Sequence, residues 1–136
     1  MPDLLRPPTT TRGPIDLRLP ADPSMSKVLR LAASGVASLN GFDVAEIEEI
    51  KLAVSEVLIA LVEHGSGDHV DLRFVASSNE FSVHGSTVAT SAIDEHSPDL
   101  ALCRAVLTDV CTEHDLTIDH EAVRITATLR RPFSGL

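Results

Sequence analysis

The sequence predicts an α+β fold, a two-layer sandwich with three helices packed on one face of a mostly antiparallel sheet. Three observations carry this. Apolar and polar residues alternate over residues 15–19, 70–76 and 122–129, the period of strands that bury one face. Residues 24–39, 43–64 and 99–112 instead repeat apolar positions at three- and four-residue steps, as helices do when they bury one stripe. Strand patterns that follow each other across short polar turns read as hairpins, and hairpins with helices inserted between them give segregated layers.

With 136 residues the chain is one domain with one hydrophobic core. Residues 1–13 hold Pro2, Pro7, Pro8 and three threonines without periodicity and read as a loose tail. Residues 14–130 form the domain, and residues 131–136 a second tail. Ile15, Leu17 and Leu19 are the inward side of the first strand, which Pro20 ends. Asp22-Pro23 caps a helix whose apolar stripe is Met25, Val28, Leu29, Leu31, Ala32 and Val36, ended by Asn40-Gly41.

The longest helical pattern is residues 43–64, free of Gly and Pro. Asp43 and Glu46 have the spacing of a capping box, and Ile47, Ile50, Val54, Val57, Leu58 and Leu61 share a face. Gly65-Ser66-Gly67 supplies glycine for a left-handed cap. A hairpin follows, with Val70, Leu72, Phe74 and Ala76 inward, a turn over residues 77–80, and Phe81 and Val83 on the return strand. Residues 85–96 are small and polar and read as a loop or lid. Ser97-Pro98 starts the third helix, whose buried residues are Leu100, Leu102, Cys103, Val106, Leu107 and Val110. Two strands around residues 115–118 and 122–129 complete the sheet.

Composition narrows the function. Eleven Lys+Arg face 20 Asp+Glu, a formal net charge of -9, which repels a phosphate backbone, so no direct nucleic-acid partner is expected. Four Phe and no Trp or Tyr leave no aromatic platform for base stacking. A basic protein surface suits this charge better. No signal peptide or bilayer-spanning run is apparent, so a cytoplasmic protein without a membrane partner is expected. Cys103 and Cys111 lie about 12 Å apart along one helix, too far for a disulfide, and read as reduced thiols. Cys111 and His114 lack a fourth ligand and a paired Cys-x-x-Cys, so no metal site is expected.

The order of these elements and the run D-x-x-E-I-x-x-x-x-L-A-V-S-E, ending in V-E-H at His64, resemble the GHKL-type ATPase fold. More narrowly, they resemble the bacterial anti-sigma-factor serine kinases of the RsbW/SpoIIAB family. The resemblance spans about residues 15–130, with residues 52–64 its specific part. It implies three motifs. A helical Glu-x-x-x-Asn would supply a catalytic Glu and a magnesium-binding Asn. An Asp-x-Gly would read the adenine amino group, and a Gly-x-Gly would cradle phosphate at a helix start, where backbone amides favour anions. Here the Glu is kept as Glu56, a vestigial general base, but Ala60 stands in place of the Asn. A methyl group cannot ligate magnesium. The Asp-x-Gly positions fall on Gly85 and Thr87, and the Gly-x-Gly positions on Asp99 and Ala101.

Two readings follow from the resemblance. One is an anti-sigma-factor-like transcription regulator, a pseudo-kinase that binds a sigma factor or an anti-sigma-factor antagonist. ATP binding is lost or weakened in this reading, no cofactor is expected, and a homodimer is among the implied states. The other is a divergent ATP- and magnesium-dependent serine/threonine kinase using Glu56, with Asp94, Glu95 or Asp99 replacing lost ligands. A scaffold in an unrelated assembly is a third. Glu56 itself also fits the role of a solvated helix carboxylate, and His64 that of a helix C-terminal residue favoured by the dipole.

Overall fold

The computed structural model describes residues 13–89, 98–118 and 121–131, the side chain of residue 99 excepted. Strand β1 (Ile15–Pro20) leads through a 3-10 turn (Pro23–Met25) into helix α1 (Ser26–Leu39) and the long helix α2 (Val44–His64). Strands β2 (His69–Ala76) and β3 (Glu80–Val88), helix α3 (Pro98–Val110), and strands β4 (Glu113–Ile118) and β5 (Ala122–Arg130) follow. The strands form one sheet in the order β1-β2-β3-β5-β4, every neighbouring pair antiparallel. The α+β sandwich expected from the patterns is the fold observed.

Alternation sets which side of the sheet meets the helices. Leu19, Val70, Leu72, Phe74, Phe81, Val83, Val123, Ile125, Ala127 and Leu129 are all buried, while their neighbours Arg18, Arg73, His84 and Arg124 are exposed. On the outer side, β1 and β2 are cross-linked by Arg18–Asp71 at 2.8 Å and Arg73–Asp16 at 2.7 Å. Their side chains are 47–68% exposed, so each pair adds little to stability.

Helix α2 lies against α1 on one side, α3 on the other, and β2, β3 and β5 beneath. Ile50, Ala53, Val54, Val57, Leu58, Ala60 and Leu61 are buried, more of the helix than one stripe predicts, because it has neighbours on three sides. Its start is a complete capping box: the Asp43 carboxylate accepts from the Glu46 amide at 2.8 Å, and Glu46 accepts from the Asp43 amide at 2.9 Å. Just before it, Phe42 turns into the core, edge-on to Phe81 at 6.5 Å, and Phe81 meets Phe74 at 5.3 Å. Such pairs add about 0.5–1.5 kcal/mol beyond their buried area.

Four expectations are corrected. Gly65, expected as a left-handed cap, has φ -86° and ψ 167°, which is extended. Its need for glycine is steric: a Cβ there would run into Thr87 Cγ2 and lie 2.7 Å from the Leu61 carbonyl oxygen. The left-handed glycine is Gly41, at the end of α1, with φ 84°. Residues 85–88, read as the start of a loop, continue β3, because both β2 and β5 supply ladder partners out to Ser86 and Val88 respectively. Residues 90–97, the rest of that loop, lie outside the described residues.

Leu31 of α1 and Leu102 of α3, expected in the core, are 75% and 66% exposed, and Val28 is 44% exposed. Each helix presents a narrower stripe than its apolar residues suggest.

Arg131, expected in the second tail, is anchored. Its Nε donates to Glu46 Oε2 at 2.9 Å, its Nη1 to the Ser78 carbonyl at 3.1 Å, and its guanidinium lies 5.0 Å over the Phe42 ring. Glu46 is only 4% exposed, so Arg131 neutralises a carboxylate that the capping box draws inside. Replacing Arg131 with Ala therefore leaves a buried charge unpaired. It is expected to lower unfolding free energy by roughly 2–3 kcal/mol, read as a shift in the urea midpoint at unchanged slope.

Candidate nucleotide site

Glu56 and Ala60, one helical turn apart on α2, line a common cavity of ≈ 240 Å³. Ile59, Glu63 and His64 complete its α2 side, and Leu102 and Cys103 of α3 form the opposite wall. Burial pushes the Glu56 carboxyl above its usual range, and the neighbouring Glu63 charge adds to that. The backbone carbonyl of Glu56 accepts from Cys103 Sγ at 3.9 Å, tying the two helices at this level. His64 brings a buried Nε2 with no hydrogen-bond partner among the described residues. Glu63, Leu102 and Cys103 were not expected here; the i, i+7 spacing of Glu56 and Glu63 was the available sign for the first, and none marks the α3 residues.

The remaining motif positions do not join this cavity. Gly85 sits mid-strand on β3 and faces α2, where a Cβ would come within 2.7 Å of Leu61 Cδ1 and 2.9 Å of Val57 Cγ1. The space in which an adenine-reading carboxylate would stand is taken by these two side chains. Thr87, two residues on, is 6% exposed and donates from Oγ1 to the His69 carbonyl at 2.9 Å, so its hydroxyl is used within the hairpin. Ala101 is on the exposed side of α3, outside the cavity. The Asp99 side chain, and Asp94 and Glu95, lie outside the described residues. Positions 60 and 85 thus carry no ligand atom, and the residues there do not fit a magnesium-bound nucleotide.

Known proteins resemble part of the chain in sequence and most of it in fold. The serine-protein kinase RsbW of Bacillus velezensis is 39% identical over 64 residues, covering 44% of this chain and 40% of the relative. RsbW of Bacillus pumilus is 35% identical over 75 residues, 51% of this chain and 46% of the relative. Among solved structures, one containing the RsbU and RsbW domains of a Mycobacterium tuberculosis protein superposes with a TM-score of 0.66 at 19% identity, over 88% of this chain and 32% of that one.

The chain is similar to RsbW over that matched stretch and shares the fold of the RsbW-containing structure.

A second structural neighbour is the SiaB–SiaC complex from Pseudomonas aeruginosa, with a TM-score of 0.64 at 9% identity, over 85% of this chain and 88% of that one. At those identities the solved structures speak for the fold alone. No protein-family model matches the chain. The matches to the RsbW relatives span less than half of either one's length. Among the described residues, no helix is long and apolar enough to cross a membrane.

One measurement tests this geometry. Gly85→Asp, which restores the carboxylate of the motif, would place it against Val57 and Leu61 and is expected to destabilise the fold by more than about 3 kcal/mol in urea unfolding. An adenine pocket able to receive the added carboxylate would show little change.

Both cysteines are free thiols. Burial raises Cys103 from its ordinary value near 9 to about 11, with the Glu56 charge adding to it, and raises Cys111 to about 12. A raised thiol pKa favours the fold while the unfolded thiol is still protonated. This contribution is full below about pH 9 and is lost as pH rises through those folded values. Unfolding free energy should accordingly fall between neutral pH and about pH 10, and less so in the double variant Cys103→Ala/Cys111→Ala.

Proposed function

We propose that this RsbW-like chain is an anti-sigma-factor-type regulator that works by binding a protein, either a sigma factor or an anti-sigma-factor antagonist, with ATP binding lost or weakened. The observation that carries the reading is the packing of Val57 and Leu61 into the space beside Gly85, together with the methyl group at Ala60. A nucleotide would need oxygen ligands for its magnesium and a polar reader for its base. Sequestration needs only a complementary surface. The RsbW relatives carry the name serine-protein kinase, and a fold neighbour was crystallised in a complex, SiaB with SiaC. Both support a role among protein partners. A cytoplasmic location and a homodimer, with the same surface of each subunit at its interface, belong to the same reading.

The alternative is a divergent serine/threonine kinase. One observation favours it: Glu56 faces a cavity and its carboxyl is shifted upward by desolvation, as suits a group that takes up a proton.

Calorimetric titration with Mg-ATP separates the two. The binding reading expects no micromolar affinity in the wild type and none in Ala60→Asn, together with ATP-independent retention of a purified sigma factor or antagonist. Magnesium-dependent micromolar affinity that disappears in Glu56→Ala would overturn it.

A further inference from the structure

The face of α2 away from the Glu56 cavity carries a second concavity. Lys27, Arg30, Leu31 and Ser34 of α1 stand at i, i+3, i+4 and i+7, and Glu48, Lys51, Leu52 and Ser55 of α2 repeat that spacing opposite them. Two matched stripes on adjacent helices leave a groove of ≈ 550 Å³ between them.

Its chemistry runs against that of the whole chain. The net charge of the protein is -9, yet three of its eleven Lys and Arg residues line this groove against one carboxylate. Lys51 is held by Glu48 at 3.1 Å. Lys27 and Arg30 make no ion pair among the described residues, whereas Arg18, Arg73, Arg130 and Arg131 are all matched to carboxylates. Leu31, at 75% exposure, and Leu52, at 44%, add apolar area beside the cations. Ser55 is 8% exposed, lines the groove, and has a buried Oγ with no hydrogen-bond partner among the described residues.

We propose that the α1–α2 groove is the docking site for an acidic, amphipathic segment of a partner protein. Leucine-sized side chains of that segment cover Leu31 and Leu52, and its carboxylates meet Lys27 and Arg30. Exposed cations with adjacent apolar side chains favour a peptide of this kind over a simple anion, which would leave the leucines uncovered. The inference rests on the proposed binding role for there being a protein partner, though not for which protein it is. It also reverses the polarity inferred from net charge: the contact is made by a cationic patch on an acidic protein.

The test uses the full chain and labelled helical peptides of about four turns, one Leu/Glu, one Leu/Gln and one Leu/Lys, in fluorescence anisotropy. The Leu/Glu peptide is expected to bind most tightly, to perturb backbone amide signals of α1 and α2, and to weaken with added salt. Lys27→Glu/Arg30→Glu should reduce its affinity at least about tenfold, as should Leu31→Ser, with circular dichroism unchanged because Lys27 and Leu31 are exposed and Arg30 is only half-buried. Equal affinity for the three peptides, or no effect of the charge reversals, overturns the proposal. If the chain retains a sigma factor or antagonist just as well after the charge reversals, the docking site is wrong and the functional reading stands. If the Leu/Glu peptide behaves as expected and neither protein is retained, the groove stands and the functional reading falls.

Discussion

Val57 and Leu61 of α2 rest on β3 at Gly85, and much of the architecture depends on that approach. Because position 85 has no Cβ, the helix settles close enough for its side chains to fill the space themselves. The same proximity recurs at the C-terminal end of the helix, where Gly65 lets Thr87 press close. Interiors are packed to near-crystalline density, so two glycines in register with one helix set how near it lies to the sheet. Once that distance is set, α1 and α3 find their places on either side, and Phe42, Phe74 and Phe81 close the end of the core.

That packing also ties stability to chemistry. In the resemblance that the central helix carries, the strand position now held by Gly85 would present a carboxylate, which needs room and water or a polar partner. The apolar contacts that replace it strengthen the core and take the same volume. Glu56 lines a cavity between α2 and α3. The polar features of the chain lie away from this packed centre, on the cationic α1–α2 face and around Arg131.

Much of this was legible in the residue order. The Asp43–Glu46 spacing announced the capping box found at the start of α2, and the alternation at Val70, Leu72 and Phe74 placed the sheet's inner side correctly. Ala60, a methyl where an amide oxygen would be needed, was visible as a sequence fact. What escaped had physical reasons. Gly85, Ser86 and Thr87 show no apolar alternation, and their extension in β3 comes from partners on both sides, which local sequence does not reveal. Leu31 and Leu102 are apolar like their buried neighbours, and only the placement of adjacent helices leaves them outside. Arg131 gave no sign of its anchor because Glu46 is 85 residues away in the chain.

The sequence by itself determined the local grammar: which segments coil or extend, where α2 begins, the excess of acidic charge, and the methyl group at position 60. These are set by neighbours a few residues apart, where periodicity and capping act. Only the tertiary structure decided that Leu61 occupies the space beside Gly85, that Gly65 is required by contact rather than by backbone angle, and that Lys27, Arg30 and Lys51 gather on one face of an acidic protein. Those outcomes depend on which surfaces meet across long separations, and that is settled by packing the whole core at once.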